Sequence, residues 1–218
     1  NELGAVDDKR RLTAIGKQMA KLPVDVKLSR MLVAAQAQDV LQDMLVIASF
    51  LGIQDPRERP ADARAAADAA HAQFADAKSE FIGILKLWQA YRSAHEDLTQ
   101  SQLRKWADKN FLGFLRLREW WELHRQLKLQ CEELGWHAAR ADDLASPVHA
   151  GATHYAALHR ALIAGLPTQI GYRSDKGGFD GPRGRKFTLF PGSKLVSKPP
   201  PWVLSATLLA TEKVWAMA

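Results

Sequence analysis

The chain has 218 residues, of which 47% are hydrophobic and 25% are charged, and its formal net charge is +6. This apolar content suffices for one sizeable hydrophobic core or two small ones and is too high for a disordered tail. The single cysteine, Cys131, excludes an internal disulfide framework, and its place in an apolar helical pattern predicts a buried thiol rather than a nucleophile.

The composition also bears on the setting of the protein. No apolar run reaches the length of a membrane span, and the first residues, NELGAVDDKRR, contain neither a hydrophobic signal core nor a starting methionine. We therefore expect a cytoplasmic, reducing setting, no membrane partner, and a chain that is a fragment of a longer protein.

The first half of the chain has a helical pattern. Thr13 is placed to cap a brief helix that Pro23 ends, and the 3–4 spacing of apolar residues predicts a further helix from Asp25 onward. An apolar helix over 40–51 should stop at Gly52. The prolines of IQDPRERP (53–60) then interrupt the helical pattern before the alanine-rich stretch 61–75.

Four more helical features follow. We predict a helix over 79–96, a capping-box pair of Thr99 and Gln102 that starts a short helix, and a long helix over 110–134 ended by Gly135. The segment 137–147 should be loose, and one more helix is expected over about 152–165.

Beyond Pro167 the pattern favours β-structure. The segments TQIGYR, RKFTLF and WVLSATLLATEKVW are rich in β-branched and aromatic residues, and glycine- and proline-rich turns separate them. The predicted fold class is therefore α+β, mainly α: a helical bundle followed by a small antiparallel β-barrel of the OB type. In RKFTLF, alternation should turn Phe187 and Leu189 toward the core.

Several kinds of catalytic or metal site are excluded by spacing. The chain has no P-loop motif, so we expect no nucleotide hydrolysis and no cofactor in this chain. His149, His154 and His159 recur every five residues, which spreads them around a helix instead of pairing them on one face for a metal. The neighbouring carboxylates Glu132/Glu133 and Asp142/Asp143 are typical of a solvated surface rather than an acid–base pair.

The tryptophans fit core packing better than a binding role. Trp88, Trp106, Trp120 and Trp121 all fall in helical periodicity, for which burial is the usual explanation. Trp202 is the one that looks more exposed.

The stretch GPRGRKFTLFPGSK (181–194) does not fit ordinary packing, because it is half apolar, basic and free of acidic residues. Residues 173–198 include seven basic and two acidic residues, so this segment carries a net charge of +5. Such a cluster suits a phosphodiester backbone, and Phe179 or Tyr172 could stack an unpaired base. The alternative is a positive surface that docks on an acidic protein.

Several motifs together resemble a known family. LTAIGKQMAKLPVDVKLSRML (12–32), IQDPRERP, HRALIAGLPTQIG, GPRGRKFTLFPGSKL and WVLSATLLATEKVWA are similar to the C-terminal region of bacterial DEAH-box RNA helicases of the HrpA type. The resemblance covers almost the whole chain. The Walker motif and DEAH box of that family are missing here.

The resemblance implies a domain order. Residues 1–22 would be the end of a winged-helix domain, 23–150 an HA2 or ratchet-like helical bundle, and 151–218 an OB-fold-like domain, complete or truncated, with a leading helix. The parent would carry two RecA-like motor domains that use ATP and Mg, so this chain alone is expected to be catalytically inactive.

The resemblance also implies a partner, single-stranded RNA with DNA as an alternative, guided along the bundle and barrel while the motor domains of the same polypeptide move it. The expected phosphate contacts are Arg173, Lys176, Arg183, Arg185, Lys186 and Lys194. Weaker candidates are Arg57 and Arg59, which Asp55 and Glu58 could neutralise, and Phe179. The competing hypothesis is a module that docks on the motor domains or on an activator protein.

Overall fold

A computed structural model of the chain describes residues 2–137, 151–210 and 214–217, without the side chains of 209, 210 and 214–217. Helices come first and strands last, which confirms the predicted α+β class. Asp142, Asp143, His149 and nearly all of the predicted loose segment 137–147 lie outside the described residues.

The described helices follow the predicted order closely. They are α1 Ala14–Met19, α2 Val26–Ala37, α3 Leu41–Leu51, α4 Arg64–Ala72, α5 Glu80–Asp97, α6 Gln100–Lys109, α7 Phe114–Glu133 and α8 Gly151–Gly165. The Thr13 side chain accepts a hydrogen bond from the Gly16 amide, and both halves of the Thr99–Gln102 capping box are present, as predicted. In the described part of the chain, none of the helices is long and apolar enough to cross a membrane.

The long helix begins later than predicted. The prediction of a continuous helix over 110–134 was wrong at its start, because Asn110 caps α6 and Phe111 has a φ of 54°. That left-handed conformation is costly for a bulky residue and is incompatible with a continuing helix. The polypeptide therefore turns between α6 and α7.

The described residues form two compact units. One consists of Asn1–Val40, Asp76–Glu80 and Ala152–Ala218, and the other of Leu41–Ala75 and Phe81–Gly151. In space, α2 is therefore grouped with α8 and the strands, although the sequence resemblance assigned it to the helical bundle. The boundaries at 22 and 150 stay predictions about the parent's domains.

Trp120 organises the core of the helical unit. It is fully buried on α7, its ring meets that of Phe50 edge-on at 5.0 Å, and its Nε1–H donates to the Val46 carbonyl and to Ser49 Oγ, each at 3.1 Å. A buried indole N–H needs such partners, since leaving it unpaired would cost about 1–3 kcal/mol. Cys131 is buried as predicted, and burial together with Glu132 raises the pKa of its thiol to about 11.

The other unit combines helices with the sheet. Gly165 of α8 lies against the Lys27 carbonyl and the Met31 side chain of α2, where a larger residue would overlap both. On the same helix, His159 Nε2 lies 2.7 Å from Ser79 Oγ, and its Nδ1 lies 2.7 Å from the Tyr155 carbonyl. Burial lowers the pKa of His159.

The strands are β1 Ile170–Arg173, β2 Phe179–Asp180, β3 Lys186–Leu189, β4 Trp202–Leu204, β5 Thr207–Ala210 and β6 Val214–Met217. Their order in the sheet is β4-β1-β2-β3-β6-β5. All neighbours are antiparallel except β3 and β6, which are parallel. Over the described strands, β4 and β5 are the two ends of the order, so this pairing gives an open sheet.

One face of the sheet carries the small core. Phe187 and Leu189 are buried as predicted, together with Phe179, Val203 and Leu195. The rings of Phe179 and Phe187 stack at 5.8 Å. Because side chains alternate along a strand, the intervening residues are left for the opposite face.

Candidate nucleic-acid interface

Strand register aligns four exposed residues across the sheet. Trp202 of β4 pairs with Tyr172 of β1, Tyr172 with Asp180 of β2, and Asp180 with Lys186 of β3. Register partners project to the same face of a sheet. All four are exposed, and we call this line of side chains the outer row.

A depression of about 310 Å³ adjoins the basic end of the outer row. Lys176 and Lys186 both line it, with Asp180 as the one carboxylate among its lining residues. Within the described part of the chain, neither lysine is in an ion pair. Two ammonium groups against one carboxylate leave this depression net positive.

The β1–β2 turn forms one wall of the depression. Gly177 and Gly178 have φ angles of 84° and 76°, a conformation that side chains rarely adopt. The Ser174 amide donates to the Gly178 carbonyl at 3.0 Å and closes the turn. Two consecutive glycines therefore place Lys176 at the tip of a tight hairpin, on the same depression as Lys186.

Arg173 is not brought to this depression by the register. Its pairing partner in β2 is the core residue Phe179, whereas Lys186 is paired with Asp180. Arg173 and Lys186 are therefore at strand positions that alternate to opposite faces of the sheet. Its guanidinium donates to the Pro199 carbonyl at 2.8 Å. Arg173 therefore lies away from the depression that Lys176 and Lys186 share, and its role as a phosphate contact stays a prediction.

The remaining predicted cations do not line the depression. Arg183, in the 3₁₀ turn 182–184, has a φ of 60° and is paired with Glu2. Arg185 is exposed before β3, and Lys194 is exposed in the 3₁₀ turn 194–196. The structure thus places Lys176 and Lys186 on one depression, and the other four predicted cations are not among its lining residues.

The two aromatic candidates differ in accessibility. Phe179 is only 4% exposed and stacks on Phe187 in the core, so its ring is not open to a base. Tyr172 is 51% exposed and lies beside Trp202, which is 64% exposed. Their ring centroids are 4.9 Å apart.

Arg57 and Arg59 are occupied by carboxylates. Arg57 makes a two-pronged contact with Asp55, at 2.7 Å for its shortest hydrogen bond, and its guanidinium also lies 5.5 Å from the Phe50 ring centroid. Arg59 is paired with Asp68, again at 2.7 Å, and not with Glu58 as the sequence suggested. The hydrogen bonds that Arg59 donates to Asp68 raise the pKa of Arg59.

Sequence reasoning missed the partnership of Tyr172 with Trp202. The two residues are thirty positions apart, and only the pairing of β1 with β4 joins them. The segment WVL contains a usable signal, because successive side chains of a strand point to opposite faces: if Val203 faces the core, Trp202 faces outward.

Among the described residues, no group of three or more potential metal ligands is found.

Three families match successive parts of the chain. Residues 1–24 match "Helicase associated domain (HA2), winged-helix", 25–111 match "Helicase associated domain (HA2), ratchet-like", and 158–218 match "Oligonucleotide/oligosaccharide-binding (OB)-fold". The depression and the outer row thus lie in the OB-fold region.

Two curated relatives are similar over nearly the whole chain. It is 36% identical to "ATP-dependent RNA helicase HrpA homolog" of Haemophilus influenzae and 37% identical to "ATP-dependent RNA helicase HrpA" of Escherichia coli strain K12. Each comparison covers 98% of this chain and 16% of the relative, so the chain spans about one sixth of the length of these relatives. The chain therefore belongs to the HrpA-type helicase family, of which it contains the helicase-associated and OB-fold regions.

Proposed function

We propose that this chain is a non-catalytic RNA guide within an ATP-dependent DEAH-box helicase and that it binds single-stranded RNA through the outer face of its OB-fold sheet. Lys176 and Lys186 contact phosphates, while Arg185 and Lys194 add positive potential. RecA-like motor domains of the same polypeptide bind ATP and Mg and move the strand.

The observation that carries this proposal is a pair of lysines that share one depression and have no ion-pair partner among the described residues, in a region that matches an oligonucleotide/oligosaccharide-binding fold. A lysine that pairs with no carboxylate keeps its full charge for a phosphate, and each neutralised phosphate releases condensed counterions. These lysine contacts are made to the sugar–phosphate backbone of the RNA, so they favour no particular base sequence.

A docking role is the second candidate, and one contact favours it. Arg183 already pairs with Glu2, so this basic segment is able to bind a carboxylate of a protein. A docking surface for the motor domains or an activator protein would use the same cations.

Salt-dependent binding separates the two candidates. Fluorescence anisotropy of the chain with several unrelated single-stranded RNAs should give similar affinities that fall steeply with salt. Lys176→Ala with Lys186→Ala should lower the magnitude of the log–log salt slope by about 1.4, at roughly 0.7 per phosphate contact on a single strand. Unchanged affinity and slope would favour docking over RNA binding.

We also expect the isolated chain to hydrolyse no ATP, because it has no P-loop motif. A coupled phosphate-release assay with added single-stranded RNA tests this directly. Turnover above the blank that is retained after repurification would contradict it.

A further inference from the structure

We infer that Tyr172 and Trp202 form a stacking platform for an unpaired base, so that RNA lies across the sheet with a base on β4–β1 and phosphates at Lys176 and Lys186. This inference rests on the proposed function and adds the place and the chemical class of the base contact. The stacking group is any nucleobase, since every base has a π-face.

The two rings are held together by the sheet. Tyr172 and Trp202 are register partners on adjacent antiparallel strands, and their rings lie at an angle of 59° with centroids 4.9 Å apart. On each strand the neighbouring position faces inward: Val203 is buried, and Gly171 lies against the Phe187 ring. The alternation therefore fixes both aromatic side chains on the outer face.

Their exposure is unusual for residues of this size. More than half of each residue remains accessible after the rings have met, so the contact between them leaves much apolar surface in water. Paired exposed aromatics of this kind mark binding surfaces, because a ligand that covers them recovers the hydrophobic free energy. Two χ angles per ring also keep the entropy cost of binding low.

The position of the pair suits a strand that is gripped by Lys186. The outer row runs from Trp202 through Tyr172 and Asp180 to Lys186, over three strand spacings, or about 14 Å. Asp180 separates the aromatic pair from the lysine and repels phosphates from the middle of the row. A bound strand would thus place its bases over the aromatic end and its phosphates at the lysine end.

The test compares a normal single-stranded oligonucleotide with one of equal length whose sites are abasic, so that phosphates are kept and bases removed. Affinities are measured by anisotropy for the chain, for Tyr172→Ala with Trp202→Ala, and for Trp202→Phe. Phe190→Ala serves as the matched control, because Phe190 is an exposed aromatic beyond β3 and outside the outer row. Circular dichroism establishes that each variant is folded.

We expect the double alanine variant to bind the normal oligonucleotide roughly five- to 150-fold more weakly. It should bind the abasic oligonucleotide as the unaltered chain does, and its salt slope should not change. Trp202→Phe should keep most of the affinity of the unaltered chain, and Phe190→Ala should change the affinity little.

Two outcomes would overturn the inference and leave the proposed function standing. In the first, RNA binding depends on Lys176 and Lys186 but not on Tyr172 and Trp202. In the second, the double alanine variant loses the same affinity for the normal and the abasic oligonucleotide. If the unaltered chain binds neither oligonucleotide, the proposed function itself fails. If the double variant does not fold, Trp202→Phe and Tyr172→Leu decide, since the inference requires binding to be kept by the first and weakened by the second.

Discussion

Gly171 lies directly against the ring of Phe187, although the two residues are on β1 and β3 with β2 between them. A Cβ at Gly171 would lie 2.9 Å from Cε1 of that ring and 3.0 Å from Phe179 Cβ. The phenyl ring therefore occupies the space that a side chain on β1 would need. The core of the sheet depends on a glycine at this position.

Gly171→Ala should destabilise the strand unit by about 1–3 kcal/mol, because the Phe187 ring must move out of a packed core. Urea unfolding followed by circular dichroism measures the change. Gly192→Ala is the matched control, because its new Cβ would meet only the partly exposed ring of Phe190, which is able to shift. Equal stability of the two variants would contradict the packing described here.

The stability of the helical unit should decrease in acid through His124. Burial, reinforced by Lys128 and Arg92, lowers the pKa of His124 to about 4. The unfolded chain binds a proton near pH 6.5, so between about pH 6.5 and 4 it holds more protons than the folded state, and stability falls as the pH is lowered. The full loss is on the order of 3 kcal/mol.

His124→Phe tests this dependence, because it keeps a ring beside Trp88, whose centroid is 4.5 Å away, and removes the titration. Its unfolding free energy should vary less between pH 7 and 4.5 than that of the unaltered chain. Some dependence should persist, since burial also lowers the pKa of His159. A pH profile identical to that of the unaltered chain would rule out this role for His124.

Arg57 and Arg59 should contribute little to RNA binding, because Asp55 and Asp68 already neutralise them. Arg57→Ala with Arg59→Ala should leave both the affinity for single-stranded RNA and its salt slope nearly unchanged. The comparison with Lys176→Ala and Lys186→Ala is matched in charge, since each double variant removes two cations. A loss as large as that of the lysine variant would mean that RNA displaces the two aspartates.

Local signals predicted much of the fold. The Thr13 cap, the Thr99–Gln102 capping box, α5 and the burial of Phe187 and Leu189 all depend on residues within a few positions of one another. Such patterns are read reliably because the interactions that cause them are local.

The errors arose where distant residues decide the structure. The sequence predicts a turn at β2, because its two residues lie among glycines and aspartates, and only pairing with β1 and β3 makes it a strand. The parallel pairing of β3 with β6 cannot be read from composition.

The candidate site also depends on pairing between residues that are distant in sequence. The cations of 173–194 are close in sequence, but the parity of β1 relative to β3 separates Arg173 from Lys186, and Glu2 reaches Arg183 from the start of the chain. Sequence proximity thus predicted a basic segment, whereas register determined which of its residues share a face. The same register brought Trp202 to Tyr172.

Lysine acetylation footprinting, with and without single-stranded RNA, tests the central claim most directly because it needs no substitution. Mass spectrometry would report the modification of Lys176 and Lys186, with exposed Lys128 of α7 as the internal reference. RNA should protect Lys176 and Lys186 together, and added salt should remove the protection, while Lys128 is modified equally in both samples. Equal modification of Lys176 and Lys186 with and without bound RNA would contradict the account.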